Sequence, residues 1–274
     1  QALCPNLESV ALVVTWYGND LRCGECSIKP GVTTRDEAGL SKEWRVSDST
    51  RADAHLLSVF QGGPSFGGTP DDQSVIDAIR DLTARGLKVT LYPFVMMDIP
   101  AGNALPNPYG GTGQAAYPWR GEITCHPAAG ISGSVDKTAA AGTQVSAFFG
   151  AASAPQFSSS GDVVHFSGGA DWAYRRFVLH YAKLAAAAGG VDGFLIGSEL
   201  RGLTRIRSSA DAFPAVSALV LLAAEVRVIL GSALKLTYSA DWSEYFGYHP
   251  ADASGDVFFN LDPLWDSPHI SAIG

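Results

Sequence analysis

The chain has 274 residues and a formal net charge of −8, with 46% hydrophobic and 17% charged residues. That apolar content supports a large core and excludes general disorder, and the acid excess speaks against a phosphate-neutralising nucleic-acid surface. No apolar run reaches the roughly 18 to 20 residues that span a bilayer; the longest, Ala215–Ala224, stops before Glu225 and Arg227.

The chain opens on Gln1 with no positively charged leader, so no signal peptide is visible and an excised or processed piece of something larger is expected. Val10–Trp16 (VALVVTW) is a β-branched run that predicts a strand buried on both faces. His55–Phe60 (HLLSVF) predicts a second strand, followed by a Gly-rich turn from Gly62 to Gly68. A helix is predicted over Ser74–Arg85, with Val75, Ile76, Ile79 and Leu82 on its apolar side. Asp71 or Asp72 can cap it, and Gly86 ends it. Leu87–Phe94 (LKVTLYPF) predicts the third strand.

From Asp98 to Asp171 the sequence is rich in Pro and Gly and reads as a long functional loop, with a short helix around Asp136–Phe149. Asp171–Ala188 predicts a helix stopped by Gly189 and Gly190, and Val191–Ser198 a fourth strand. Phe213–Leu230 predicts a helix with Pro214 at its start and Gly231 at its end. Leu234–Ser239 predicts a fifth strand. Ile270–Gly274 (ISAIG) looks like the opening of a sixth, which leads us to expect a domain continuing past Gly274.

Strands alternating with helices mark βα units and a parallel sheet, hence an α/β chain. A doubly wound sheet competes with a (β/α)8 TIM barrel. The barrel is favoured because polar and aromatic residues follow the strand ends, namely Tyr17, Asn19, Asp98, Glu199, Asp241 and Trp242, where barrel active sites lie. No G-x-G-x-x-G follows the first strand. The expectation is one TIM-barrel-like domain over 1–274, truncated after about strand six, with an insertion at about 98–171.

Glu199 directly follows the apolar strand in GFLIGSEL, so its carboxylate should emerge at the barrel mouth, half desolvated as a general acid requires. Capping of the next helix or pairing with Arg201 would be its structural role. Asp241, in SADWSEY, could orient a substrate, act as a second carboxylate or cap the following turn; Asp98, in FVMMDIP, carries the same ambiguity. Trp16, Tyr17, Tyr92, Trp119, Trp242 and Trp265 lie near strand ends and loops, where aromatic faces could pack on sugar rings or simply on the core.

Cys23-Gly-Glu-Cys26 forms a C-x-x-C, accompanied by Cys4 and Cys125. Disulfides or free thiols come first; a structural zinc would need Cys4, Cys125 or His126 as further ligands, and redox catalysis is the remotest reading. The six histidines show no metal-binding spacing, and no nucleophile elbow or P-loop is present.

Taken together, TWYGNDLRCGECSIKPGV, GGTPDDQSVIDAIRDLTARGLKVTLYPFVMMDIP, QAAYPWRGEITC, YRRFVLHYAKL, GFLIGSELRGLT and LTYSADWSEYFG closely resemble the glycoside-hydrolase TIM-barrel-like domain of gene transfer agents and related phage tails. That domain lies within a large multidomain baseplate protein, the megatron. The resemblance implies a virion component in the tail of a phage-like particle, acting at the recipient cell surface or in the periplasm. Its implied partners are other baseplate or tail proteins and a cell-surface or cell-wall glycan; charge, run length and histidine spacing add the expectation of no nucleic acid, no membrane span and no metal, and glycan hydrolysis needs no cofactor.

A fainter resemblance runs to retaining glycosidases of the mannanase-like barrel clan, which carry an acid/base Glu after strand four and a nucleophile Glu after strand seven. It implies Glu199 as the catalytic acid/base and the SADWSEY stretch, with Asp241 and Trp242, as a segment lining the sugar site; the strand-end reading above adds Trp16, Tyr92, Asp98 and Trp265 to the expected substrate-binding residues. Ser198 stands where the clan usually has Asn, and the nucleophile would lie beyond Gly274. The alternative is a non-catalytic structural or glycan-binding module of the baseplate.

Overall fold

A computed structural model describes residues 4–36 and 43–274. Its main elements are β1 (Ser9–Gly18), α1 (Asp72–Ala84), β2 (Lys88–Met97), α2 (Ala139–Phe149), the hairpin β3 (Phe157–Ser160) and β4 (Val163–Phe166), α3 (Tyr174–Ala188), β5 (Gly193–Ser198), α4 (Arg201–Thr204), α5 (Pro214–Leu230) and β6 (Lys235–Ser239).

Four parallel strands stand in the order β6, β5, β2, β1, and Ile28–Lys29 pairs antiparallel on the far edge. The long strands follow one another across the sheet without a reversal. Helices α1, α3 and α5 pack in sequence on one face, α1 on α3 and α3 on α5. A doubly wound sheet reverses direction and carries helices on both faces. The observed order is that of a barrel arc, with helices outside and a concave face inside.

The strand alternation sets these faces. Along β2, Val89, Leu91, Pro93, Val95 and Met97 are buried, while Thr90, Tyr92, Phe94 and Met96 alternate with them and are only half buried. Trp16 of β1 is fully buried, its ring 5.4 Å from Phe177 and 5.5 Å from His180. His180 is also buried and meets Asp72 at 2.9 Å, joining α3 to α1 through a polar contact inside the helical layer.

The helix ends follow the sequence signals. The Asp71 side chain accepts from the Ser74 amide at 3.0 Å, which satisfies one of the free N–H groups at the start of α1. Gly189 ends α3 at φ +109°, a left-handed backbone open to glycine at little cost.

The expected strand His55–Phe60 does not join the sheet. His55–Leu56 pairs with Gly31–Val32, Val59–Phe60 pairs with Gly63–Pro64, and Val59 and Phe60 are 69% and 53% exposed. The cause is Ser58, whose amide and hydroxyl both bond Asp98 and divert the chain from a ladder. The expected sixth strand does run beside β6: the Ser271 amide donates to Leu236 O at 2.7 Å, and the Ala240 amide to Gly274 O at 2.9 Å. The arc therefore holds four regular parallel strands and this edge segment.

The segment between β2 and α3 is not structureless. It carries α2 and the β3–β4 hairpin, and the hairpin packs against α3. Its first half is fastened by polar groups. Gln114 accepts from the Leu21 amide at 2.7 Å and donates to buried Asp20 at 2.7 Å, and Asp20 also holds Arg22. No helix among the described residues is long and apolar enough to cross a membrane.

Candidate functional site

Three acids stand at the carboxyl ends of parallel strands: Asp98 after β2, Glu199 after β5 and Asp241 after β6. Their surroundings differ.

Glu199 follows a register shift between β5 and β6, and its backbone lies at φ +51°. A left-handed backbone at a residue other than glycine costs on the order of 1 to 3 kcal/mol, and such strain clusters at functional sites. The strain is held in place from both sides. The Glu199 amide donates to Ser239 O at 2.8 Å, and the Leu200 amide donates to the Tyr238 hydroxyl at 2.7 Å. Tyr238 in turn points its hydroxyl at the Glu244 carboxylate, 3.3 Å away.

The Glu199 side chain is 34% exposed. Its Oε2 accepts from Trp119 Nε1 at 2.8 Å and from Arg120 Nη2 at 2.7 Å. Both donors take the same oxygen, so Oε1 is the oxygen available to a ligand. Arg120 is itself buried; its Nε donates to Ser198 O at 2.9 Å and to Ser198 Oγ at 3.1 Å. Its guanidinium lies 3.6 Å from the centre of the Phe94 ring, on the concave face of β2. The partner of Glu199 is thus Arg120, from the long segment, and not Arg201. Ser198 is engaged by this same arginine.

The long segment is docked tightly here. A Cβ on Gly202 would stand 2.5 Å from Ile123 O and 2.8 Å from Gly121 O, so only glycine allows the backbone after Arg120 to approach α4.

Asp98 is closed off, with a side chain 1% exposed. It meets His55 Nε2 at 2.6 Å and accepts from the Ser58 amide at 3.0 Å, Ser58 Oγ at 2.6 Å and Ser65 Oγ at 3.0 Å. Burial pushes its carboxyl up, but the hydrogen bonds from His55, Ser58 and Ser65 together outweigh burial and hold it down at about 2. Asp98 is an anchor for the loops above β2 and presents no free face to a sugar.

Asp241 caps the turn Trp242–Glu244, accepting from the Ser243 amide at 3.0 Å while Glu244 accepts from the Asp241 amide at 2.9 Å. Glu244 is buried. Burial raises its carboxyl above the ordinary range, and bonds from Thr204, the Asp241 amide and Tyr238 offset this in part.

The aromatic set disperses. Trp16 is a core side chain with no surface to offer, and Tyr17 is likewise buried. Tyr92 sits on the concave face, edge-on to Phe94. Trp242 is 72% exposed and pairs with Phe246. Trp265 is half buried, 6.1 Å from Tyr238. Of the aromatics named from sequence, Trp119 is the one that bonds Glu199. Arg120 was not singled out there, and its signal was the Trp-Arg pair inside the QAAYPWRGEITC string.

Cys23, Cys26 and Cys125 are buried thiols and Cys4 is exposed. Burial raises Cys26 to about 12 and Cys125 to about 11, opposite to the lowered values of reactive thiols. No group of three or more His, Cys, Asp or Glu positioned to hold a metal occurs among the described residues.

Beyond Trp119 opens a cavity of about 660 Å³, lined by Tyr109, Trp119, Arg201, Arg205, Arg207 and Tyr248 among others. Sequence reasoning did not find it, because its lining comes from four separate stretches of chain.

Residues 172–274 match the family model of the GTA TIM-barrel-like domain, the gene-transfer-agent domain that the sequence strings resemble. Among solved structures, a GH113 beta-1,4-mannanase in complex is similar at TM-score 0.40 and 19% identity, over 87% of this chain and 46% of that one. The GH113 beta-mannanase AaManA from Alicyclobacillus acidocaldarius with ManMIm is similar at TM-score 0.41 and 16% identity, over 90% and 48%. The chain thus spans less than half the length of these structures. A comparison with curated proteins finds no match.

Proposed function

We propose that this chain is the glycan-engaging barrel of a gene-transfer-agent or phage-like tail baseplate, and that Glu199 is its general acid. The observation that carries this reading is Glu199 itself: a strand-end carboxylate in a strained backbone, one-third exposed, with Trp119 and Arg120 fixed on one oxygen. The GTA TIM-barrel-like match over 172–274 supplies the particle context.

In the proposed reaction Glu199 acts as general acid through Oε1, delivering a proton to the glycosidic oxygen as the bond to the anomeric carbon breaks. A second carboxylate attacks that carbon, and Glu199 then takes a proton from the water that releases the sugar. Retention of configuration requires the two carboxyl groups about 5 to 5.5 Å apart. Neighbouring baseplate proteins and a cell-surface or cell-wall glycan are the partners this reading names, with action at the recipient surface or periplasm.

The Arg120 ion pair supports a second reading, a module that binds glycan without cutting it. A guanidinium held on a carboxylate is the geometry of a fixed acceptor. Glu199→Gln separates the two. On the hydrolase reading the variant folds normally, binds cell-wall and surface glycan fragments and releases no new reducing ends, while the parent chain does release them. Equal release by both chains sinks the assignment of Glu199. Binding with no release by either supports the module.

A further inference from the structure

The cavity beside Trp119 is a cationic island in an acidic chain. Its lining holds Lys137, Arg201, Arg205 and Arg207 against Glu122, Asp136 and Asp252. Two of these carboxylates are already committed. Arg207 pairs with Asp136 at 2.8 Å and with Asp252 at 3.2 Å, and Lys137 also pairs with Asp252. Glu122 takes no ion pair among the described residues.

Arg201 and Arg205 have no carboxylate within ion-pair distance among the described residues. They stand four positions apart, one helical turn, and both line the cavity. The Arg201 Nε and the Arg207 Nη1 are buried without a hydrogen-bond partner there, and Arg207 is only 2% exposed. Unpaired buried donors of this kind cost stability unless something satisfies them. Burial first, and then the charge of Arg201, hold the Arg205 guanidinium below its ordinary value, and Glu244, Tyr248 and Asp241 oppose this only in part. An anion in the cavity would relieve that repulsion and supply acceptors.

The walls argue for a sugar carrying that anion and against a bare ion. Tyr109, Trp119 and Tyr248 place aromatic surface among the guanidiniums, and Arg205 and Arg207 lie 5.4 Å and 5.5 Å from the Tyr248 ring centre. A volume of about 660 Å³ holds a short oligosaccharide, whereas a lone anion would leave most of it empty. The guanidinium fork fits a planar carboxylate. Trp119 lines this cavity and also holds Glu199, so the cavity adjoins the proposed acid.

We propose that this cavity is an acidic-sugar subsite, in which Arg201 and Arg205 bind the carboxylate of a uronate residue. This rests on the glycan reading above and names its substrate class as a polyanionic, uronate-containing glycan.

The test is binding to the full chain carrying Glu199→Gln, so that turnover plays no part. Calorimetric titration would use tetramers of galacturonate, glucuronate and mannuronate, each against its neutral counterpart. At least one uronate should bind tenfold or more tightly than its neutral partner, with a preference that shrinks as salt rises. Arg201→Gln and Arg205→Gln should each weaken that uronate roughly ten- to hundredfold and narrow its preference over the neutral partner. Arg201→Lys, which keeps the charge and loses the fork, should fall between. Binding of none of the uronates, equal binding of both members of every pair, or an unchanged preference in folded Arg201→Gln and Arg205→Gln chains would overturn the proposal. So would complete displacement by inorganic phosphate at equal affinity, which would mark a bare-anion site. Arginine-dependent uronate binding by a parent chain that cuts nothing would leave the subsite standing and remove the hydrolase reading. Glu199-dependent cleavage of neutral glycans alone would do the reverse.

Discussion

The ends of β2 and β5 hold the same kind of group at the same level of the fold, and the fold uses them in opposite ways. Asp98 is surrounded by donors from three residues, and its side chain is 1% exposed. Glu199 has donors on one oxygen, is 34% exposed, and sits in a strained backbone. An acid whose acceptor sites are filled by the protein contributes stability. An acid with one oxygen left over, held rigidly at some cost, has capacity for a ligand. Position after a parallel strand locates the mouth of the barrel and does not by itself distinguish these roles.

The largest expected effects come from exchanging the two carboxylates for amides. Glu199→Gln should cost about 10²- to 10⁴-fold in glycan turnover, the range of one general acid, with the fold retained because an amide oxygen still accepts from Trp119 and Arg120. Asp98→Asn should do the reverse. A carboxyl lowered from 3.8 to about 2 contributes on the order of 2 kcal/mol of stability. Because the folded value is the lower one, this contribution is complete above about pH 4 and is lost as pH falls through about 2. Denaturant unfolding of parent and Asp98→Asn chains at pH 7 and pH 2 should therefore give curves that are separated at neutral pH and converge in acid. A gap that persists at pH 2 would show that Asp98 acts through shape and not charge.

Much of the scaffold that carries these two acids was readable in the sequence. The strands at Val10–Trp16, Leu87–Phe94, Val191–Ser198 and Leu234–Ser239 are apolar runs, and α1, α3 and α5 end on Gly or cap residues, so local chemistry and burial agree. His55–Phe60 misled because its apolar content resembles a strand, while a remote carboxylate, Asp98, claims the backbone of Ser58. Arg120 and the basic cavity were hidden for a related reason. The partners of Arg120 lie 78 and 79 positions away in the chain, those of Arg207 in the cavity lie 71 and 45 away, and no local period marks them. The strand count changes too. With His55–Phe60 outside the sheet, β5 is the third regular parallel strand, so the case for Glu199 rests on its local geometry and not on its ordinal place.

A smaller effect tests whether the long segment holds the Glu199 end in place. Gly202→Ala puts a methyl against two carbonyl oxygens of the 120–123 turn, at 2.5 Å and 2.8 Å from its ideal position. Backbone must move to admit it, at a cost of about 1 to 3 kcal/mol. The turn that shifts carries Arg120 and adjoins Trp119, so turnover or glycan affinity should fall with stability. Asp98→Asn should cost stability without that functional loss. If Gly202→Ala is destabilised and yet retains full glycan affinity and turnover, Trp119 and Arg120 do not need this packing to serve Glu199.

Asp241 is the third strand-end acid and gives the smallest and most discriminating contrast. Its carboxylate caps a single turn through the Ser243 amide and also accepts from the Ser243 hydroxyl, while Glu244 returns a bond to the Asp241 amide. If capping is its whole task, Asp241→Ala costs about 1 kcal/mol, as cap removals commonly do, and leaves glycan affinity untouched. Asp241→Asn should recover most of that loss, since an amide oxygen still accepts from Ser243. If Asp241 instead contacts the sugar, affinity falls in both variants and the asparagine restores stability alone. Chemical denaturation and glycan titration on the same two proteins thus decide whether Asp241 belongs with Asp98, as an acid the fold has used up, or with Glu199.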